Sequence, residues 1–334
     1  MGKRLLFLFI VLFIMGVVCT LFFTDLWLYA NKPASANSDE IVIHIKSGRP
    51  FKATAKLLHE AGVIQSPFRF NLIARIKGYD KRLQAGEYLL SGSMSPLKVL
   101  EKLVNGEVKL YKLTIPEGFN IFQIAELVTE AGFAEKTDFL KLATDAPFVR
   151  EKGIQAETFE GYLFPDTYFF PKDISVKKII ATMVDRFWSV FKPEWKKHMQ
   201  TYGFTVHQAV TLASIIEKET GVPAERRLIS SVFHNRLKKR MRLESDPTVI
   251  YAIKDFDGNL TRKHLATRTP YNTYRIRGLP AGPIANPGRE SLEAAIYPAD
   301  TPYIYFVSKK DKTHQFSTNF KDHNKAVKKY QLNR

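Results

Sequence analysis

Cysteine is nearly absent: the 334-residue chain has one, Cys19, inside a hydrophobic run near the N-terminus. No intramolecular disulfide can form, so stability has to come from packing, and the redox compartment stays open. Acidic residues are in short supply, 33 Asp and Glu against 50 Lys and Arg, giving a formal net charge of +17 and a pI near 9.7. Such a balance in a cytoplasmic protein would point to nucleic acid, because Lys and Arg neutralise phosphates. H-E-x-x-H is missing, and the separations of His207, His234, His264, His314 and His323 fit no compact zinc pattern. Neither a metal nor a cofactor is expected.

One segment is rich where the rest is poor. Residues 5–24, LLFLFIVLFIMGVVCTLFFT, carry no charge, and about 20 apolar helical residues match the hydrocarbon thickness of a bilayer. Lys3 and Arg4 precede the run and Asp25 follows it, so the positive-inside bias keeps the N-terminus in the cytoplasm and sends the bulk of the chain across. Trp27 and Tyr29 fall at the outer interface. Ala34-Ser35-Ala36 offers a rival reading as a signal-peptide cleavage site, but the run exceeds the roughly 7 to 15 residues of a signal-peptide core. Val18 stands where a lipidated Cys19 would need a small neighbour. With that topology nucleic acid is excluded as a partner, and the basic surface suits anionic lipid head groups or an acidic polymer. A merely solvated basic surface is the plain alternative.

Residues 31–40, NKPASANSDE, have the composition of a flexible tether. Folding begins at Ile41: IVIHIKSGRPFKATAKLLHEAGVI gives an alternating strand pattern over 41–45, then a helical pattern with Ala55, Leu57, Leu58 and Ala61 that Gly62 closes. A second copy follows in YKLTIPEGFNIFQIAELVTEAGFA. Ile115, Gly118, Ala125, Leu127, Glu130, Ala131 and Gly132 echo Ile45, Gly48, Ala55, Leu57, Glu60, Ala61 and Gly62, each pair 70 positions apart. Between the copies, 83–91 reads as a strand and 96–104 as a helix. The first copy resembles a LysM-type module, which in other proteins grips N-acetylglucosamine polymers; a spacer is the alternative.

From Glu157 the stretch ETFEGYLFPDTYFFP is aromatic and punctuated by Gly and Pro, and is unlike a helix. Helical patterns return over 176–200, 206–220 and 225–239, and after Met241 the chain is rich in turns. In HQAVTLASIIEKET the apolar stripe is Ala209, Leu212, Ala213 and Ile216, which puts Glu217 and Glu219 on opposite flanks. Spacing does not choose between them. Small neighbours at Val210, Ala213, Ser214 and Gly221 favour Glu217 over Glu219, which has Leu212, Ile215 and Val222. A carboxyl at the edge of an apolar stripe loses solvation in its charged form, so it holds a proton more readily, as glycosidic cleavage needs.

LASIIEKET, SSVFHNRL, MRLESDPTVIY, TPYNTYRIRGLPAGPIANPG and HQFSTNFKDHN occur in this order, together with EGYLFPDTY. This set, which spans most of the chain, resembles the endolytic murein transglycosylase family, also called YceG-like. The resemblance implies cleavage of the bond between N-acetylmuramic acid and N-acetylglucosamine inside a peptidoglycan strand, without water, leaving a 1,6-anhydro end. Glu217 would then serve as acid and base in turn, so the paired carboxylates of ordinary glycosidases are not required. Asp246 in Ser245-Asp246-Pro247-Thr248 would orient a sugar hydroxyl, with turn formation as the alternative. Asn235 would bond the carboxylate or an acetamido group, or else pack between helices. Tyr271, Asn272 and Tyr274 would line a groove walled by Gly278, Pro280, Gly282, Pro283, Asn286 and Pro287, and His314 with Phe316 would support it.

The expected architecture is α+β: a cytoplasmic N-terminus (1–4), a single transmembrane helix (5–29), a linker (30–40), a LysM-like module (41–112) and a YceG-like catalytic domain (113–334). The catalytic domain is expected outside the bacterial cytoplasmic membrane. Glycan strands and the membrane itself are the expected partners, with peptidoglycan synthases and division proteins following from that location. Two rivals remain: a non-catalytic wall-binding scaffold, and a muramidase that uses water with Glu217 and Asp246.

Overall fold

The computed structural model describes residues 2–332, leaving aside the Lys3 side chain. Expectations for Met1, the Lys3 side chain and the last two positions of the catalytic domain therefore lie outside the described residues. Helices and small sheets mix, in keeping with an α+β chain. Two compact units emerge: Met1–Tyr111 with Phe169–Asp173, and Lys112–Tyr168 with Ile174–Arg334.

The first unit begins with α1 (Gly2–Asn31), one unbroken helix of 30 residues. It is the one helix among the described residues long and apolar enough to cross a membrane. Its C-terminal end is part of a folded core, where Leu26, Tyr29 and Ala30 are buried. The remaining elements are β1 (Ile41–Ile45), α2 (Phe51–Glu60), α3 (Pro67–Ile76), β2 (Gly86–Leu90), α4 (Pro96–Asn105) and the start of β3 (Leu110–Thr114). β1 and β2 pair antiparallel with Ile43 opposite Tyr88. Their buried faces, Ile43 and Ile45 on one and Tyr88 and Leu90 on the other, follow the two-residue period of a strand. Leu58, Phe70, Leu100 and Leu103 complete this core.

Tyr29 Oη donates to Ser66 O at 2.9 Å, and Arg69 pairs with Asp25 at 3.2 Å. The first half of the segment that composition marks as a loose tether is held in place: α1 runs through Asn31, Gln65 Nε2 donates to Ala34 O at 2.9 Å, and Ser35 N donates to Gly92 O at 2.9 Å. Composition reports the lack of apolar side chains, whereas backbone groups bonded to neighbours fix a segment without any.

In the second unit come α5 (Ile121–Glu130), α6 (Lys136–Ala143), α7 (Ala146–Glu151), the start of β4 (Thr167–Pro171), α8 (Val176–Val190), α9 (Pro193–Met199), α10 (Val206–Glu219), α11 (Arg226–Lys238), α12 (Asp246–Tyr251), α13 (Arg262–Ala266), α14 (Arg289–Ile296), β5 (Tyr305–Ser308), β6 (His314–Ser317) and α15 (Phe320–Val327). β3 pairs with β4, and β5 with β6. The repeat seen in sequence has a structural counterpart. α2 and α5 are the same length and offset by 70 positions, and Gly48 and Gly118 both have φ of 76°. The single helical pattern over 176–200 is instead two helices, α8 and α9. Pro193 lacks an N–H and disfavours helical backbone before it, and Lys192 accordingly takes an extended ψ of 146°.

α10 is the axis of the second unit. Thr205 and Gln208 form a reciprocal capping box at its start, and every residue from Ala209 through Ile216 is buried. α14 packs along it, contributing Leu292, Ala295 and Ile296 to the core. A helix walled in on this length can release its polar side chains only near its end, where Glu217 and Glu219 stand.

Candidate active site

The two carboxylates at the end of α10 enter separate polar clusters. Glu217 keeps 7 % of its side chain exposed; its Oε2 accepts from Gly288 N at 2.9 Å, and its Oε1 lies 3.7 Å from Arg226 Nη2. The same Nη2 is 3.9 Å from Glu117 Oε2, and Nη1 pairs with Glu290. Three carboxylates thus surround one guanidinium that is itself 8 % exposed. Glu117, half exposed, is held above the ordinary carboxylate range by burial first, then by the charge of Glu217, against the opposing pull of Arg226.

Backbone pairing places Glu117 here. Gly118 N donates to Asn286 O at 3.0 Å, and Asn286 N donates to Phe119 O at 2.8 Å. Lys218 Nζ donates to Gly118 O at 3.2 Å. A Cβ on Gly118 would lie 3.5 Å from Glu217 Cγ, and one on Gly288 would overlap the Glu117 carboxylate. Gly288 therefore lets backbone approach the Glu117 carboxylate closely, whereas at Gly118 there is room for a Cβ and the φ of 76° is what favours glycine.

Beneath this loop, Glu160 is buried and accepts from Ile121 N at 3.2 Å, Asn286 Nδ2 at 3.1 Å and Tyr251 Oη at 2.9 Å. Burial outweighs these donors and lifts its carboxyl to about 7. Asn286 Oδ1 in turn accepts from Leu163 N at 2.8 Å. Glu160 and Asn286 together bind the start of α5 and the 286–288 loop segment to the chain around Glu217.

On the other flank Glu219 accepts from Ser245 Oγ at 2.5 Å. Burial raises it to about 7; the Ser245 hydroxyl opposes the rise and the Asp246 charge adds to it. Asp246 opens α12 and accepts from Tyr274 Oη at 2.7 Å. That phenol is pushed upward by burial and then by its bond to Asp246. Tyr271 meets Tyr251 with ring centroids 4.9 Å apart, which relays it to Glu160. Asp246, Tyr271 and Tyr274 are thus gathered around the end of α10, on the Glu219 and Glu160 side.

The other sequence candidates are occupied by the protein itself. Asn272 is buried; its Nδ2 donates to the carbonyls of His264, Leu265 and Thr267 at the end of α13, and its Oδ1 accepts from Tyr274 N. Asn235 Nδ2 donates to Thr301 O at 2.7 Å and Tyr303 O at 2.9 Å, a clamp between α11 and the approach to β5. His314 bonds Glu225 through Nδ1 at 2.7 Å and through its backbone N at 2.9 Å. Since Glu225 precedes Arg226, His314 fixes the start of the helix that carries the guanidinium.

Sequence reading passed over Glu117, Arg226, Glu290 and Glu160. One signal was available. In the internal repeat Glu117 aligns with Ser47, so a carboxylate next to the shared glycine distinguishes the second copy from the first. Arg226 and Glu290 sit in polar first turns with no periodicity to mark them.

Residues 43–329 match the model of the YceG-like family. The endolytic murein transglycosylase of Bacillus subtilis strain 168 is 36% identical over 317 residues, covering 90% of this chain and 87% of that protein. That of Streptococcus pneumoniae serotype 2 strain D39 is 30% identical over 88% of this chain, which spans 59% of that longer protein. A crystal structure of a yceG-like protein from Listeria monocytogenes superposes with a TM-score of 0.59 at 34% identity, over 86% of this chain and 99% of that one.

Proposed function

The chain belongs to the YceG-like family, and on that premise we propose that it is a peptidoglycan lytic transglycosylase cutting within glycan strands. Its relatives of 36% and 30% identity are named endolytic murein transglycosylases. The observation that carries the chemistry is the Glu217 cluster: a nearly buried carboxylate in contact with a backbone N–H and a guanidinium, under a half-exposed second carboxylate.

In this reading Glu217 protonates the oxygen linking N-acetylmuramic acid C1 to the next sugar, and the C1–O bond breaks. The C6 hydroxyl of the same muramic acid then bonds to C1 and returns its proton to the Glu217 carboxylate. No water is consumed, and the acid is regenerated. Arg226 orients Glu217, and Glu117, at the exposed side of the same guanidinium, meets the incoming strand. Tyr271, Tyr274 and Asp246 supply rings and acceptors for neighbouring sugars. Asn235, Asn272 and His314 hold the walls in place.

α1 serves as a single-pass anchor with its N-terminus in the cytoplasm, which brings the catalytic unit to strands newly made at the outer face of the cytoplasmic membrane. Peptidoglycan synthases and division proteins are the partners that such a place offers. The βααβ order of β1, α2, α3 and β2 supports a LysM-like module in the first unit.

The presence of Glu117 beside Glu217 is the observation that favours a water-using muramidase instead. Mass spectrometry of un-crosslinked strands digested by the detergent-solubilised full chain separates the two. Products lighter by one water than hydrolysed fragments are expected; hydrated ends would establish the muramidase, and uncut strands a binding scaffold.

A further inference from the structure

A second surface, in the first unit, has no part in this chemistry. A groove of about 600 Å³ runs between α2 and α3, lined by Lys52, Lys56, Pro67, Phe68, Asn71, Leu72 and Arg75. Its lining has three cations and no carboxylate, although Lys56 also reaches Glu60 at 3.5 Å on the following turn. Phe68 projects from it with 74% exposure. An isolated exposed aromatic is ordinary, but one framed by Lys and Arg has the composition of a surface that lies in a membrane interface.

The height of this groove follows from α1. The uncharged run 5–24 is about 30 Å long at 1.5 Å per residue, which fills the hydrocarbon layer and leaves Asp25–Tyr29 among the head groups. The first turn of α3 is fastened to that segment: Arg69 pairs with Asp25 at 3.2 Å, its guanidinium lies 5.6 Å from the Tyr29 ring, and Ser66 O accepts from Tyr29 Oη. Phe68 adjoins Arg69 in the same turn, while Trp27 on α1 is 66% exposed at this level. Because Leu26, Tyr29 and Ala30 are core residues, the unit cannot swing away from the bilayer on a tether.

We propose that the groove between α2 and α3 docks onto the anionic phospholipid head groups of the leaflet from which α1 emerges, with Phe68 seated in the interfacial layer. Each Lys or Arg brought to an anionic surface adds attraction that salt screens. Phosphodiester groups fit the three cations, and the anchor supplies the proximity. The proposal rests on α1 being an anchor, so its test reports on both.

The full chain, carrying Cys19→Ser, is labelled with an environment-sensitive fluorophore at Phe68→Cys or, separately, at Phe13→Cys within the apolar run. Each is reconstituted in vesicles of phosphatidylcholine alone or mixed with phosphatidylglycerol, with nitroxide-bearing lipids as quenchers. Quenching at position 68 is expected to rise about twofold with phosphatidylglycerol, and to return to the zwitterionic level in about 0.5 M salt or in a Lys52→Gln, Lys56→Gln, Arg75→Gln variant. Position 13 is quenched throughout. A solvent-exposed label at 68 with position 13 quenched overturns the docking and leaves the anchor standing. No quenching at 13 overturns the anchor itself. Quenching at 68 that ignores lipid charge, or that appears only when soluble glycan strands are added, overturns the assignment of the groove to anionic lipid.

Discussion

Glu217 and Glu219 differ by two residues and share a helix, yet their surroundings differ in kind. Glu217 faces a guanidinium and an amide N–H in company with Glu117 and Glu290, whereas Glu219 faces a serine hydroxyl and is held by burial near pH 7. Arg226 is the residue on which the first cluster depends, because removing one member of a nearly buried ion pair leaves the other charge uncompensated. Arg226→Gln is expected to destabilise the protein by roughly 3 kcal/mol at neutral pH. The deficit should shrink in acid as Glu117, whose carboxyl burial holds above the ordinary range, takes up its proton, and denaturant titrations at neutral and acidic pH would show it. A deficit independent of pH would mean that Arg226 acts by packing alone.

At the scale of elements, the backbone segment 286–288 is what turns a helix end into a site. It pairs with 118–119 and presents the Gly288 N–H to Glu217. Gly288→Ala would drive a Cβ into the Glu117 carboxylate, and a displacement on the order of 1 Å in a catalytic cluster costs up to about 100-fold in rate. Turnover is expected to fall at least about tenfold while circular dichroism and Tm change little; unchanged turnover would remove Glu117 from the mechanism. α10 was legible because its apolar stripe is local, and α2 and α5 because their closing glycines, with φ of 74° at Gly62 and 69° at Gly132, are written in the repeat. The break between α8 and α9 was readable in Pro193, though the apolar period runs across it. The contacts of Glu117 with Arg226, and of Asn286 with Glu160, join residues more than 100 positions apart in sequence and carry no local pattern. Asn272 shows the converse: a polar residue within a family motif looked free in sequence, while its amide is committed to the carbonyls that end α13.

For the whole molecule, two buried carboxyls set a pH dependence. Glu160 and Glu219 each titrate at about 7 in the folded chain against an ordinary 4.5. Both bind protons more tightly folded than unfolded, so their contribution is complete below about 4.5 and is lost as pH rises through 7, on the order of 3 kcal/mol per group. Unfolding midpoints in urea should fall between pH 5 and pH 8, and Glu160→Gln should flatten that slope; an unaltered slope would place the proton elsewhere. The end of α1 also matters to folding. A chain beginning at Asn37 lacks Leu26, Tyr29 and Ala30, whose burial stabilises the first unit by roughly 3 kcal/mol. Hydrogen exchange in β1 and β2 should therefore be faster in that truncation than in the detergent-solubilised full chain, and equal rates would show that the docked end of α1 is dispensable. The most direct test of the central claim is mass spectrometry of un-crosslinked peptidoglycan treated with the full chain, with Glu217→Gln and with Glu219→Gln. Anhydro-muramoyl products are expected to vanish with Glu217→Gln and to persist, at reduced yield, with Glu219→Gln; the reverse pattern would contradict the assignment of Glu217 and move the chemistry to the other flank of α10.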